Sequence, residues 1–150
     1  MKNFIFTSIL FALLLTVNAA PFQLNKRAIT FGPCHLGIPT DLIDVKIGTD
    51  PPKSGKDESF DVSGNLTKDD ITKGKTILQI QYGDENGFLI GDSYLQNFID
   101  TIKAGTPFKI SASNVTTPKL PDSYLLGVVV ADPTDDPSTF NVFGCALASV

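Results

Sequence analysis

The stretch Phe60–Thr67, FDVSGNLT, decides the fold. Phe60, Val62 and Leu66 share one parity, with Gly64 between them; Asp61, Ser63, Asn65 and Thr67 share the other. Alternation with period two is the pattern of a strand with one buried face and one wet face. The wet face also carries Asn65-Leu66-Thr67, a glycosylation acceptor triplet that must reach solvent. The outside of this strand is therefore set. Its inside buries either the rest of the protein or a ligand.

The same rhythm recurs along the chain. Ile43, Val45 and Ile47 alternate with polar residues in DLIDVKIG, Leu78, Ile80 and Tyr82 in TILQIQYG, and Phe108, Ile110 and Ala112 in PFKISAS. FLIGD, after the GDENG turn, reads as a short returning strand. Tyr124–Ala131, YLLGVVVA, is apolar throughout, which calls for cover on both faces or nearly so. TFNVFGCALAS supplies the last strand. One stretch departs from the rhythm: Leu95, Phe98, Ile99 and Ile102 stand at helical spacing, with Asp92 or Ser93 to cap the start and Gly105 to close the end. This predicts one short helix near residues 94–104. About seven short strands, regular turn signals and one cysteine pair predict an all-β, immunoglobulin-like antiparallel β-sandwich. The chain lacks the core tryptophan of antibody domains.

The 150 residues do not all belong to that sandwich. Residues 1–20 have one lysine, an apolar run over Phe4–Val17 and then small residues, the layout of a secretory signal peptide. The run is too short to span a bilayer comfortably. Lys26-Arg27 reads either as a processing site, making 21–27 a propeptide, or as a solvated linker. The folded domain is expected over 28–150, with no repeat and no second domain. That part has nine lysines against sixteen acids, a formal charge of −7, more acidic than the −4 of the whole chain. Such a balance excludes nucleic acid as a partner and opposes tight electrostatic docking on anionic membranes. Cys34 and Cys145, near opposite ends of the domain, read as one long-range disulfide in an oxidising compartment; two free buried thiols are the alternative.

Enzymatic constellations are nearly absent. His35 is the only histidine, and its neighbour Cys34 is no nucleophile once bonded. No phosphate-binding loop, dinucleotide fingerprint or nucleophile elbow occurs, and a His/Cys metal site needs more ligands than the chain supplies. Asp132, Asp135 and Asp136 fit no calcium-loop spacing and read as a solvated turn. No catalytic residue, metal or cofactor is expected. The remaining signal is apolar. The inward rows are either plain core or the lining of a cavity between two splayed sheets.

From Gly32-Pro33-Cys34 to Phe143–Ala148 the chain resembles the ML lipid-recognition family, and within it the fungal-type phosphatidylglycerol/phosphatidylinositol transfer proteins. The likeness rests on DPPKSGKDESFDVSGNLT (50–67), KGKTILQIQYG (73–83), AGTPFKI (104–110), LPDSYLLGVVVAD (120–132) and FGCALA (143–148), in that order and spacing. The resemblance implies an immunoglobulin-like sandwich holding a phospholipid or sterol between its sheets, with Cys34–Cys145 as the family's terminal staple and LPDSY at the pocket mouth. Expected lining residues are Ile43, Val45, Ile47, Phe60, Val62, Leu78, Ile80, Tyr82, Phe108, Ile110, Leu126, Val128 and Val130, with Pro121 and Tyr124 at the entrance. Tyr124 or Lys119 would meet the head group. Thr106 stands where many relatives have a cysteine, so the segment Tyr94–Gly105 is expected to be tethered by packing alone, a movable lid.

The function expected is that of a secreted or vacuolar/lysosomal non-enzymatic lipid carrier, monomeric, glycosylated at Asn65 and Asn114, making transient membrane contact. The alternative is a glycosylated interaction protein with a filled core that binds a receptor or polysaccharide.

Overall fold

The computed structural model describes residues 28–150; the expected signal peptide (1–20) and propeptide (21–27) lie outside the described residues. Eight strands form: β1 (Asp41–Leu42), β2 (Asp44–Ile47), β3 (Asp57–Asn65), β4 (Ile77–Gly83), β5 (Leu89–Asn97), β6 (Pro107–Thr116), β7 (Leu125–Pro133) and β8 (Phe140–Ser149). They make a five-stranded sheet in the order β1-β8-β7-β4-β5 and a three-stranded sheet in the order β2-β3-β6. The all-β sandwich is as the alternation predicts. All pairs are antiparallel except β1 with β8, which is parallel.

The DLIDVKIG strand is two strands, not one. Asp41–Leu42 pairs with Gly144–Cys145 in the large sheet, and Asp44–Ile47 pairs with Phe60–Ser63 in the small one. The chain crosses between layers at Ile43, whose side chain is buried at the seam. Close approach there requires Gly144: a β-carbon on it would lie 2.7 Å from Ile43 Cγ2 and 3.1 Å from Leu66 Cδ2.

The predicted helix at 94–104 does not form. Residues through Asn97 belong to β5, paired with β4 from Leu89↔Gly83 to Asn97↔Ile77. The apolar residues that imitate a helical stripe point to different places. Phe98 is buried and packs edge-on against Phe108, with ring centres 5.9 Å apart. Leu95 lies 55% exposed, and Ile99 77% exposed. A free edge of a large sheet offers a backbone ladder that outweighs a weak local helical preference.

The helical lid expected over Tyr94–Gly105 does not form, and the segment is not tethered by packing alone. Phe98 N donates to Thr76 O (3.0 Å), Ile71 and Ile102 exchange two backbone bonds (2.8 and 2.9 Å), and Gly105 N donates to Leu66 O (2.7 Å). Asp70 accepts from Ala104 N (2.8 Å) and Lys103 Nζ (3.0 Å), which hold its carboxyl below the usual carboxylate range. Hydrogen bonds, together with packing, hold this segment.

Cys34 and Cys145 are bonded, with Cα atoms 5.8 Å apart, and the bridge spans 111 residues of chain. In the loop-entropy model a closure of that length contributes about 4–5 kcal/mol. The bridge fits an oxidising environment. The two sheets differ in their outer faces. That of the small sheet is polar, carrying Asp44, Lys46, Asp61, Lys109 and Ser111; that of the large sheet carries Val129, Cys145, Leu147, Gln79 and Leu95.

Candidate functional site

The inner faces meet in one core. Ile43, Phe60, Val62, Leu78, Ile80, Tyr82, Phe108, Tyr124, Leu126, Val128 and Val130 are all buried in a single cluster, as expected from their parity. Val45, Ile47 and Ile110 are half-buried at its margin, and Pro121 is exposed. Residues not singled out from sequence complete it, among them Leu66, Ile71, Ala112, Val115, Phe143, Ala146 and Ala148. The central rows close on each other. Val62, Leu78, Leu126, Val128 and Val130 are each 0% exposed, so no hollow that would admit water reaches them. The gap expected between the sheets is therefore filled along its middle.

The open space lies at one end. A cleft of about 610 Å³ is walled by Thr49, Asp50, Pro51, Pro52, Lys53 and Ser54 on one side, and by Leu120, Pro121, Asp122 and Tyr124 on the other. Both walls are loops that leave the sandwich at the same end. The first turns at Pro51-Pro52, with a cis Asp50–Pro51 peptide. Buried Glu58 fixes its start, its Oε1 accepting from Thr49 N (2.8 Å) and Ser59 N (2.9 Å). Asp50 Oδ1 accepts from Ile29 N at 2.9 Å. The walls are tied behind the cleft by Gly55 N to Thr117 O (3.0 Å), Thr117 N to Lys56 O (3.1 Å) and Leu120 N to Ser54 Oγ (2.9 Å). Tyr124 is anchored by reciprocal backbone bonds with Val150 (3.1 and 2.9 Å).

The floor of the cleft is aromatic. Tyr124 lines it and tilts against Tyr82, with ring centres 6.2 Å apart at 52°. The Tyr82 hydroxyl lies 3.5 Å from Thr117 Oγ1. Burial pushes the Tyr82 phenol up to about 12; the Thr117 contact opposes this, and the charge of Glu58 and the neighbouring Tyr124 add to it. Burial also raises Tyr124, with Asp50 adding. Both phenols therefore remain neutral hydroxyls at physiological pH. Both belong to the apolar core cluster between the sheets.

The resemblance pointed to Pro121 and Tyr124, and both are on the cleft. Lys119 does not line it; Lys53 does, together with Asp50 and Asp122. One cation against two carboxylates gives no anion clamp. The wall at 49–54 was legible only as a polar loop, because Pro-Pro and glycine mark a turn but not what the turn encloses. Among the described residues no group of three His, Cys, Asp or Glu side chains is placed to hold a metal ion. Asn65 and Asn114 are both exposed, at the end of β3 and within β6. The Asn65 amide donates to Gly105 O at 3.3 Å. No family model matches the chain, and a search of curated proteins finds no significant relative.

Proposed function

We propose that this protein is a secreted, glycosylated lipid carrier that takes a phospholipid or sterol through the end cleft, shelters its apolar part between the sheets and carries it between membranes. One observation supports the reading most: a cleft of about 610 Å³ is lined by Tyr124, whose ring packs on Tyr82, and both tyrosines belong to the apolar core cluster between the sheets. The resemblance to ML-type transfer proteins points the same way. The wall charges favour a neutral or zwitterionic head group over an anionic one. Phe88, 73% exposed in the β4–β5 turn at this end of the sandwich, is a ready anchor for brief membrane contact.

The energetics are those of partition. Sheltering ~20 methylene groups at ~0.8 kcal/mol each gives roughly 16 kcal/mol relative to water. A bilayer offers nearly the same, so transfer is close to balanced and the protein lowers the barrier to leaving the membrane. Because the central rows are closed, a tail must displace Tyr124 and replace cross-sheet contacts with its own.

The closed rows are also the one observation that favours the alternative, a filled-core interaction protein. Mild purification from a eukaryotic host, organic extraction and mass spectrometry separate the two. Stoichiometric lipid supports the carrier. A lipid-free protein that also takes nothing from phosphatidylcholine or sterol-containing vesicles overturns it.

A further inference from the structure

We propose that the first sugar of a glycan on Asn114 seats in the groove between the free edges of the two sheets and clasps them together. This rests on the reading of the chain as a secreted glycoprotein and not on the lipid. Asn114, Val115 and Thr116 form an acceptor triplet within β6. A groove of about 370 Å³ lies along that edge, lined by Asn114, Thr116 and Pro118 on the β6 side and by residues 91–94 on the β5 side. The acceptor side chain is part of the groove wall, so a sugar attached to it starts inside the groove. In attachment the Asn114 amide nitrogen gives up a proton and bonds the anomeric carbon of N-acetylglucosamine, as the diphosphate of a lipid-linked oligosaccharide leaves.

A bulge puts Asn114 there. Glu58 pairs with Val115 and Phe60 with Ala112, so Ser113 and Asn114 together stand opposite Ser59. Uninterrupted alternation from buried Ala112 would turn Asn114 inward. The extra residue instead leaves Asn114 exposed and returns Val115 to the core. Asn114 takes φ 57°, a left-handed conformation that asparagine tolerates better than most residues with a β-carbon. Glycine would meet that backbone demand more easily, but asparagine, with Thr116 two residues on, can also accept a glycan.

The groove suits a neutral hexosamine. Its volume is at the small end of ligand pockets, room for a single sugar ring. Pro118 and the half-buried ring of Tyr94 offer apolar surface to the C–H face of a sugar. Ser93, Thr116 and Asp92 offer oxygens to its hydroxyl and acetamido groups. No Lys or Arg lines it, so an anionic group gains nothing there. A β-carbon on Gly91 would lie 3.0 Å from Pro118 Cβ, so the two walls nearly meet at one end. The Tyr94 hydroxyl donates to Gln96 Oε1 at 2.8 Å, and Gln96 Nε2 donates across to Ser111 O of β6 at 3.2 Å. A sugar bonded to β6 through Asn114 and stacked on Tyr94 of β5 adds a second tie across this edge.

The test uses the full chain with Asn65→Gln, which leaves Asn114 as its remaining acceptor. It is secreted from a eukaryotic host that makes high-mannose glycans, trimmed with endoglycosidase H to one sugar, and compared with the same chain exported unglycosylated to a bacterial periplasm. Peptide mass spectrometry reads occupancy, and hydrogen exchange reads the edge. Asn114 should be occupied, and the amides of residues 91–96 should exchange about 5- to 10-fold more slowly in the single-sugar form, with β8 unchanged. In a Tyr94→Leu background the sugar should slow them by less than about twofold, because its stacking partner is gone. An unmodified Asn114 overturns the proposal together with the glycoprotein reading at this position. Three results overturn the seat alone: equal exchange with and without the sugar, protection that vanishes on trimming, or an undiminished effect in Tyr94→Leu. None of these readouts depends on a lipid in the end cleft.

Discussion

The floor of the cleft can be tested by titration. Tyr82 holds its proton up to about 12 when folded, against about 10 in the unfolded chain. A raised tyrosine pKa means the folded state retains a proton that the unfolded state loses. Its stabilising contribution is whole below pH ~10 and is lost as pH rises through the folded value near 12. The full linkage is on the order of 3 kcal/mol; at pH 11 about half, roughly 1.4 kcal/mol, is gone. For a domain of this length the melting temperature moves about 4 °C per kcal/mol, so about 5 °C of the decline between pH 8 and pH 11 belongs to this one phenol. Other groups, lysines included, also titrate there, so the assay is a difference. Thermal melts of wild type and Tyr82→Phe are followed by circular dichroism at both pH values, and the variant should decline about 5 °C less. Equal declines would refute the reasoning: water would then reach Tyr82, and the cleft would continue past Tyr124 into the sandwich.

Three further outcomes follow from the packing. Tyr124→Ala removes a buried ring from the core and should cost about 3–5 kcal/mol in a denaturant titration; on the carrier reading it also speeds lipid uptake in a vesicle transfer assay, because the cleft then opens onto the core. Cys34→Ser with Cys145→Ser should lower stability by about 4–5 kcal/mol, read as a fall in melting temperature that reducing agent reproduces in the wild type and not in the variant. Gly144→Ala forces a β-carbon against Ile43 and Leu66 and should cost about 1–3 kcal/mol by chemical denaturation, whereas Gly32→Ala, with nothing within 4 Å of the new β-carbon and no left-handed φ, disturbs no packing.

Much of the sandwich was legible because burial imposes a period of two. Phe60, Val62 and Leu66 face inward and Asp61, Asn65 and Thr67 outward, as their order dictates. The all-apolar run Tyr124–Ala131 is buried at nearly every position. Two features were invisible for physical reasons. Ile43, Val45 and Ile47 keep one parity straight through the crossing from sheet to sheet, so nothing in the pattern marks where one strand becomes two. Leu95 and Phe98 imitate a helical stripe because the outer face of the large sheet is itself apolar: a strand at that edge places leucine on the side where alternation expects a polar residue. The cleft was half legible. Tyr124 and Pro121 came from the resemblance, while Asp50–Ser54 belong to a loop whose enclosing shape depends on the partner wall at 120–122.

Periodicity marks which residues face inward but is silent on the distance between the faces, and that distance bears most directly on function. The layers are not joined equally on all sides. Along one edge the chain itself passes between them at Ile43, wedged against Gly144 and Leu66. At the end opposite the cleft, backbone bonds tie Leu66 to Gly105 and Ile71 to Ile102. The β5 and β6 edges share no ladder, and among the described residues the Gln96 side chain, donating to Ser111 O at 3.2 Å, is the hydrogen bond that joins those two strands. Separating the layers there breaks one exposed hydrogen bond, a net loss of about 1 kcal/mol, plus apolar contacts that an entering tail remakes. Separating them at Ile43 would strain the covalent chain. On the carrier reading the sandwich would open like a book, its spine at the β1–β2 crossing and its free edges at β5 and β6, and Tyr124 at the cleft is the first side chain a tail would have to move.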